Sequence, residues 1–314
     1  MHQNMRLFTI LILIVTHLDI FGQETKFVLK EGQGFTEEYS VLKTDKKVRH
    51  GTYVKYRQPF GQYVIIESGN YLNGEKHGQW ETFYNEIPRK TWNNIKEKGN
   101  YVNGKKNGLW TFYYLDTTAN ATNVVKSGTT KQSKSVSVSI DQKNEKLRQA
   151  GMFLNDKRVA EWVSFDHEGD IFQRYNFSKS ILIYEKSLTD SVSYNTNRKP
   201  LFIGGLPSLS YFVAKNINFV ETVSKVDRDS TYATINFTID EQGKTQTVEV
   251  IANYDNKPFK NEMLRLISLT DFYWLPGLKD GLKTALPFKI RYDIVRTANS
   301  QNSKSWVTSF KIVE

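Results

Sequence analysis

A repeated pattern restricts this chain more than any other feature of its sequence. Gly69-Asn70-Tyr71-Leu72-Asn73-Gly74 runs into Gly78-Gln79-Trp80 and Tyr84. The pattern returns at unchanged spacing as Gly99-Asn100-Tyr101-Val102-Asn103-Gly104, Gly108-Leu109-Trp110 and Tyr114. A worn copy reads Gly151-Met152-Phe153-Leu154-Asn155-Asp156 and then Ala160-Glu161-Trp162, and a partial one survives as His50-Gly51-Thr52-Tyr53 with Tyr56. Self-similarity at a fixed period implies an array of small units, none of which can bury its apolar face alone. Asn-Gly between short aromatic segments predicts a hairpin with a type I′ turn, because both residues tolerate positive φ. Residues alternate across a strand, so Trp80, Thr82 and Tyr84 share a side, as do Trp110, Phe112 and Tyr114. Stacked hairpins then carry an aromatic face made of Tyr71, Trp80, Tyr84, Tyr101, Trp110 and Tyr114. A single hairpin is marginal in water, whereas an array supports itself.

The second half has a different grammar. Pro207 opens a helix whose stripe is Leu209, Phe212, Val213 and Ile217. From Tyr232 to Asp240 the chain alternates, with Ala233, Ile235, Phe237 and Ile239 on one side and Tyr232, Thr234, Asn236 and Thr238 on the other, the mark of a half-buried strand. Asp240-Glu241-Gln242-Gly243 turns it into a second strand with Val248 and Val250 on one face. Pro258 opens a second helix with Phe259, Met263, Leu266 and Ile267 together. A last strand places Leu286, Phe288, Ile290, Tyr292 and Ile294 inward and Pro287, Lys289, Arg291 and Asp293 outward. The expected class is mainly β, a ribbon of stacked hairpins followed by an α+β domain with a small antiparallel sheet on two helices.

Charge follows the same division. The chain carries net +10 over 314 residues. Residues 23–199 hold 28 Lys and Arg against 20 Asp and Glu, or +8, while residues 200–295 hold 11 against 11. The expected organisation is a leader over 1–22, repeats over 23–185 with an insertion at 115–149, and a linker at 186–199. A domain over 200–295 and a tail over 296–314 complete it. The insertion contains Lys126 to Ser139, a Ser, Thr and Lys stretch read as a mobile loop or hairpin extension. In the leader, Arg6 precedes an apolar run from Leu7 to Val15, which then meets His17 and Asp19 and reaches the small residue Gly22. A bilayer span needs about 20 apolar residues, so a cleaved signal peptide fits better than an anchor. A retained anchor would have to bury Asp19. The expected location is therefore exported and periplasmic, with inner-membrane anchoring as the alternative. With no Cys, thiol catalysis, zinc–cysteine sites and disulfides are excluded.

The repeat pattern of Gly-x-Tyr-x-Asn-Gly, then Gly-x-Trp and a further Tyr, resembles the MORN repeat in its bacterial variant, over about Tyr39 to Phe165. That resemblance implies a structural or binding scaffold without shared catalytic residues. The second half resembles the C-terminal domain of TonB over about Leu201 to Ile294. The landmarks are Phe202-Ile203-Gly204-Gly205, Phe237-x-Ile239-Asp240 with Gly243, Glu262-x-Leu264-Arg265, and Trp274-x-Pro276-Gly277 with Asp280-Gly281. Phe219-Val220 departs from the family's usual Tyr-Pro. This resemblance implies β-augmentation, in which a segment of an outer-membrane receptor adds as a strand to a free sheet edge.

The residues expected to receive that strand are Phe288, Lys289, Ile290, Arg291 and Tyr292. Pro287 cannot donate to a ladder, and outward Lys289 and Arg291 are typical of a guarded edge. Against this, Trp306, Thr308, Phe310 and Ile312 alternate in the tail, which predicts an extra strand able to occupy the same edge. The expected function is a non-enzymatic periplasmic binding or adaptor protein engaging a protein or peptide of the cell envelope, with an outer-membrane receptor of TonB-dependent transport as the implied partner. The competing readings are a repeat scaffold binding lipid, glycan or protein through its aromatic and basic surface, and a membrane-anchored energy transducer. The transducer would need an anchor and a Pro-rich spacer, and the chain has only seven prolines, none clustered. No nucleophile elbow, phosphate loop or His-rich motif stands out, so no catalytic residue, metal ligand or cofactor is expected. His50 and His77 precede a repeat Gly where Asn107 stands in another copy, which marks a polar turn position and not a metal site. An exported chain without a recognition helix is not expected to bind nucleic acid, and binding to a membrane surface is a weaker expectation.

Overall fold

The computed structural model describes residues 23–61, 63–84, 94–115, 125–130, 133–138, 146–186, 196–218, 230–253, 257–298 and 304–313, with backbone only at 60, 125–130, 133–138, 230, 296–298 and 304–312. The leader 1–22, residues 187–195 of the linker and Phe219-Val220 lie outside the described residues.

The chain begins with β1 (Thr25–Gly32), β2 (Phe35–Leu42), β3 (Arg49–Arg57), β4 (Val64–Leu72), β5 (Glu75–Phe83), β6 (Ile95–Val102) and β7 (Lys105–Tyr113). The insertion carries a separate hairpin, β8 (Val125–Thr130) with β9 (Ser133–Val138). Then come β10 (Leu147–Leu154), β11 (Lys157–Phe165), β12 (Ile171–Asn176) and β13 (Ile181–Glu185). Apart from β8 and β9, these form one antiparallel sheet of eleven strands in chain order. By internal contacts the chain divides into two compact units: residues 1–145 with 153–157, and residues 146–152 with 158–314. The change of charge near residue 199 thus falls inside the second unit.

In the first unit the turns follow the sequence. Asn73 and Asn103 both sit at φ 49°, each followed by a positive-φ Gly, so Leu72 pairs with Glu75 and Val102 with Lys105 across a two-residue turn. Each turn then docks on its predecessor: the N–H of Gly74 donates to the Arg49 carbonyl (2.8 Å), that of Gly104 to Lys76 (3.0 Å), and that of Asp156 to Lys106 (3.0 Å). The repeat Gly exists because a Trp lies flat against it. A Cβ on Gly69 or Gly99 would sit 2.3 Å from the indole of Trp80 or Trp110. Each indole N–H donates to the next carbonyl along, Asn70 (2.9 Å) and Asn100 (3.1 Å). The strict alternation expected of Trp80, Thr82 and Tyr84 breaks at a bulge between Thr82 and Phe83, so Phe83 and Tyr84 are both buried.

In the second unit Trp162 repeats the motif, lying 2.3 Å from a Cβ built on Gly151 and donating to the Met152 carbonyl (3.1 Å). After β14 (Leu201–Phe202) comes helix α1 (Gly205–Asn216), followed by β15 (Ser230–Ile239), β16 (Thr245–Ala252) and helix α2 (Lys257–Ser268). The chain continues through β17 (Trp274–Leu275), β18 (Gly277–Lys279), β19 (Leu282–Thr284), β20 (Leu286–Ala298) and β21 (Lys304–Ile312). The core joins Ile235 and Phe237 of β15, Ile290 and Tyr292 of β20, Leu209 and Val213 of α1, and Met263 and Leu266 of α2. Alternation on the strands and the i, i+3, i+4 stripes of the helices supply these residues directly. The start of α1 packs tightly: Gly204 donates its N–H to Gln173 Oε1 (2.6 Å), and a Cβ on Gly205 would meet Phe172 at 2.1 Å. Its end is held by Glu262, which accepts from the Asn218 N–H (2.6 Å) and from Arg265 Nε (2.8 Å). Arg265 Nη2 donates to the Asn216 carbonyl (2.5 Å).

Candidate functional site

The C-terminal sheet has the order β16-β15-β20-β21. This corrects the expectation that Phe288 to Tyr292 line a free edge. Residues 286–295 of β20 pair with 239–230 of β15 on one flank, while 290–298 pair with 312–304 of β21 on the other. Phe288, Ile290 and Tyr292 are core residues, at most 6 % exposed. Arg291 lies 3.6 Å over the Tyr232 ring and donates from Nε to Asp293 Oδ1 (2.7 Å). The alternation in the tail is a signal for a strand, but local pattern carries no information about which rim receives it.

Where β21 ends, the ladder of β20 is closed chemically. The Val313 N–H donates to the Lys289 carbonyl (3.2 Å), so Lys289 turns its backbone toward β21. Peptide groups alternate along a strand, and the next residue turned the same way is Pro287, which has no N–H. The corner Leu286–Phe288 therefore presents no donor on that side.

The opposite rim is open. Asn253 donates its N–H to the Tyr232 carbonyl (3.1 Å), and Ile251 and Glu249 stand in register with Thr234 and Asn236. Val250 and Ala252 consequently turn their N–H and C=O groups away from β15. Among the described residues no strand pairs with that side of β16. Val248, Val250 and Ala252 pack against the core and hold the strand in place. The segment Thr245–Ala252 contains neither Lys nor Pro, the usual guards of an edge. Ile251 faces the other way and is 51 % exposed.

The aromatic residues of the repeats are placed differently. Trp80, Trp110, Tyr84 and Tyr114 are buried, while Tyr71 and Tyr101 are half-buried and meet the Trp rings edge-on at 5.2 Å. Cations lid the ladder: Lys76 Nζ lies 3.9 Å over Trp80 and donates to Glu67 (2.9 Å), and Lys106 Nζ lies 3.9 Å over Trp110 and donates to Glu97 (3.0 Å). At the start of the array Arg49 stacks on Tyr39, Tyr53 and Tyr71. Burial raises the Tyr53 hydroxyl, as does its bond to Glu37. For Tyr101, burial pushes the hydroxyl up to about 12. These rings are occupied by one another and by their lids.

The third repeat departs from this rule in an informative way. Gln149 stands where Glu67 and Glu97 stand, two residues before the repeat Gly. It donates to Ser164 Oγ (3.2 Å) and Ser208 Oγ (3.0 Å), while Arg158 keeps the lid position 4.3 Å over Trp162. The substitution converts an ion-pair position into one that grips helix α1, a role that repeat spacing does not reveal.

His50 Nδ1 lies 3.2 Å from Asn73 Oδ1, as expected of a turn position. Among the described residues there is no group of three His, Asp or Glu side chains placed to hold a metal, and no helix long and apolar enough to cross a membrane. No protein-family model, no curated protein and no solved structure matches this chain.

Proposed function

We propose that this is a non-catalytic binding or adaptor protein of the cell envelope that captures an extended protein segment by strand addition to its C-terminal sheet. One observation carries the reading, the unpartnered backbone of Val250 and Ala252 on a strand anchored in the core. Strand addition draws its affinity from main-chain hydrogen bonds and its specificity from alternate side chains. On β16 the visiting strand meets Glu249 and exposed Ile251 on one face. The resemblance to the TonB C-terminal domain supports the same mode of binding but places it on β20, where β21 lies instead. The rim is therefore assigned to β16. Export rests on the leader 1–22, and an outer-membrane receptor is the partner that the resemblance implies. The buried, cation-lidded rings offer the scaffold reading no open stacking surface.

The test is a display selection of random extended decapeptides on the full chain. Selected binders are expected to protect the Val250 and Ala252 amides from hydrogen exchange and to weaken at least tenfold on Val250→Pro. That substitution removes an outward N–H and leaves the β15 ladder intact. Binders indifferent to Val250→Pro but strengthened by deletion of residues 297–314 would return the site to β20 and overturn this assignment.

A further inference from the structure

Beside the corner where β21 ends, the sheet face opposite the helices holds a cavity of about 480 Å³ that the strand-addition reading does not use. Its volume lies in the range of small-molecule sites. The apolar side chains on this face are Pro287 and Val313; Phe237 and Phe288 also border the cavity, but their rings are buried in the core on the helix side. Two ammonium groups, Lys199 and Lys289, reach it from separate segments, and neither has a hydrogen-bond or ion-pair partner for its side chain among the described residues. Asn236, Thr238, Thr247 and Glu249 supply the remaining polar lining. These groups are already ordered among themselves: Asn236 Nδ2 donates to Glu249 Oε2 (3.0 Å), and Thr247 Oγ1 donates to Thr238 Oγ1 (3.1 Å). Thr238 accepts in that pair, so its own O–H remains free to donate into the cavity. Among the described residues the lining thus combines two cations without a side-chain partner and a free hydroxyl donor with one carboxylate whose amide partner is fixed, and it has a small apolar wall.

We propose that this cavity binds a small single-chain carboxylate, its headgroup held by Lys199, Lys289 and the Thr238 hydroxyl and its apolar chain laid against Pro287 and Val313. The chemistry selects against the alternatives. A cation would meet two ammonium groups and find Glu249 already engaged. A neutral chain would leave both ammonium groups without compensation. A peptide end needs backbone donors, and the adjoining corner of β20 has none because of Pro287. The site borders the β16 rim at Glu249 but differs from it in chemistry, since it offers side-chain charges where strand addition uses the outward backbone of Val250 and Ala252.

Decanoate is the probe, titrated against the full chain by calorimetry, with decanol, decyltrimethylammonium and an acetylated tripeptide ending in a free Phe carboxylate as comparisons. Decanoate is expected to bind, decanol at least tenfold more weakly, and the cation and the tripeptide more weakly still. Lys289→Gln and Lys199→Gln should each cost about fivefold to tenfold, the scale of one charge-assisted contact at a half-exposed site. Glu249→Gln should tighten decanoate binding, because it removes a repelling carboxylate from the lining. Both lysines lie near the surface, and an unchanged melting temperature in each variant confirms that the fold is intact. Equal affinity for decanol, tighter binding of the tripeptide, or decanoate binding that ignores both Lys substitutions would each overturn the proposal.

Discussion

The two largest sheets among the described residues solve the problem of their edges and cores in opposite ways. In the repeat sheet, neighbours in space are neighbours in sequence, each Trp finds its Gly across a two-residue turn, and each turn finds a carbonyl of the preceding hairpin. In the C-terminal sheet, β15 pairs with β20 some fifty residues later, and the outer strands are held by helices and by the tail. A locally built sheet encodes its own contacts and leaves little of its aromatic surface to a partner. A sheet built from distant strands keeps a rim whose occupant local pattern does not specify, and binding by strand addition belongs on such a rim.

The sharpest way to break this contrast is at the repeat Gly. Gly99→Ala places a methyl inside the Trp110 indole, and a loss of about 3 kcal/mol is expected from chemical denaturation, near the upper end for overpacking a core. Gly34→Ala is the converse case, a positive φ of 81° with open space around it, so it reports backbone strain without the clash that Gly99→Ala creates. Second in size is deletion of residues 297–314. Amides of 290–294 facing β21 should exchange at least tenfold faster, while those of β3 to β7 stay unchanged; uniform acceleration would show that the tail supports the whole chain.

Acid provides a third, smaller test. The bonds from Arg265 to Glu262, with the Asn218 N–H, hold this carboxyl below the usual carboxylate range against the opposing effect of burial. A carboxyl depressed on folding contributes stability above its unfolded pKa and loses it as pH falls through the folded one. The wild type should therefore lose more stability than Glu262→Gln between about pH 5 and about pH 2, and parallel curves would remove Glu262 from the account. The smallest effect is a gain. Ala160 holds φ 53° where Gly78 and Gly108 stand in the better copies, so Ala160→Gly should stabilise the third repeat by about 0.5–1 kcal/mol in thermal melts.

Local chemistry made much of this legible. Asn73-Gly74 and Asn103-Gly104 specify their turns because both positions need positive φ, and the inward set from Ala233 to Ile239 follows from the period of a strand alone. The same holds for the helical stripe of Phe259, Met263, Leu266 and Ile267. The bulge that buries Phe83 beside Tyr84 was not legible, since it depends on an extra residue in the partner strand. Nor was the pairing of Gln149 with Ser208, which unites a repeat with a helix far along the chain.

The amino-acid order alone determined the hairpin array, the alternating strands, the two amphipathic helices and the presence of a strand in the tail, because each depends on residues within a few positions of one another. Only the tertiary structure decided that β21 takes the flank of β20, that β16 keeps the open rim, and that Lys199 and Lys289 meet over one cavity. Those outcomes depend on which distant backbone and side-chain groups compete for the same space, and no local period records that competition.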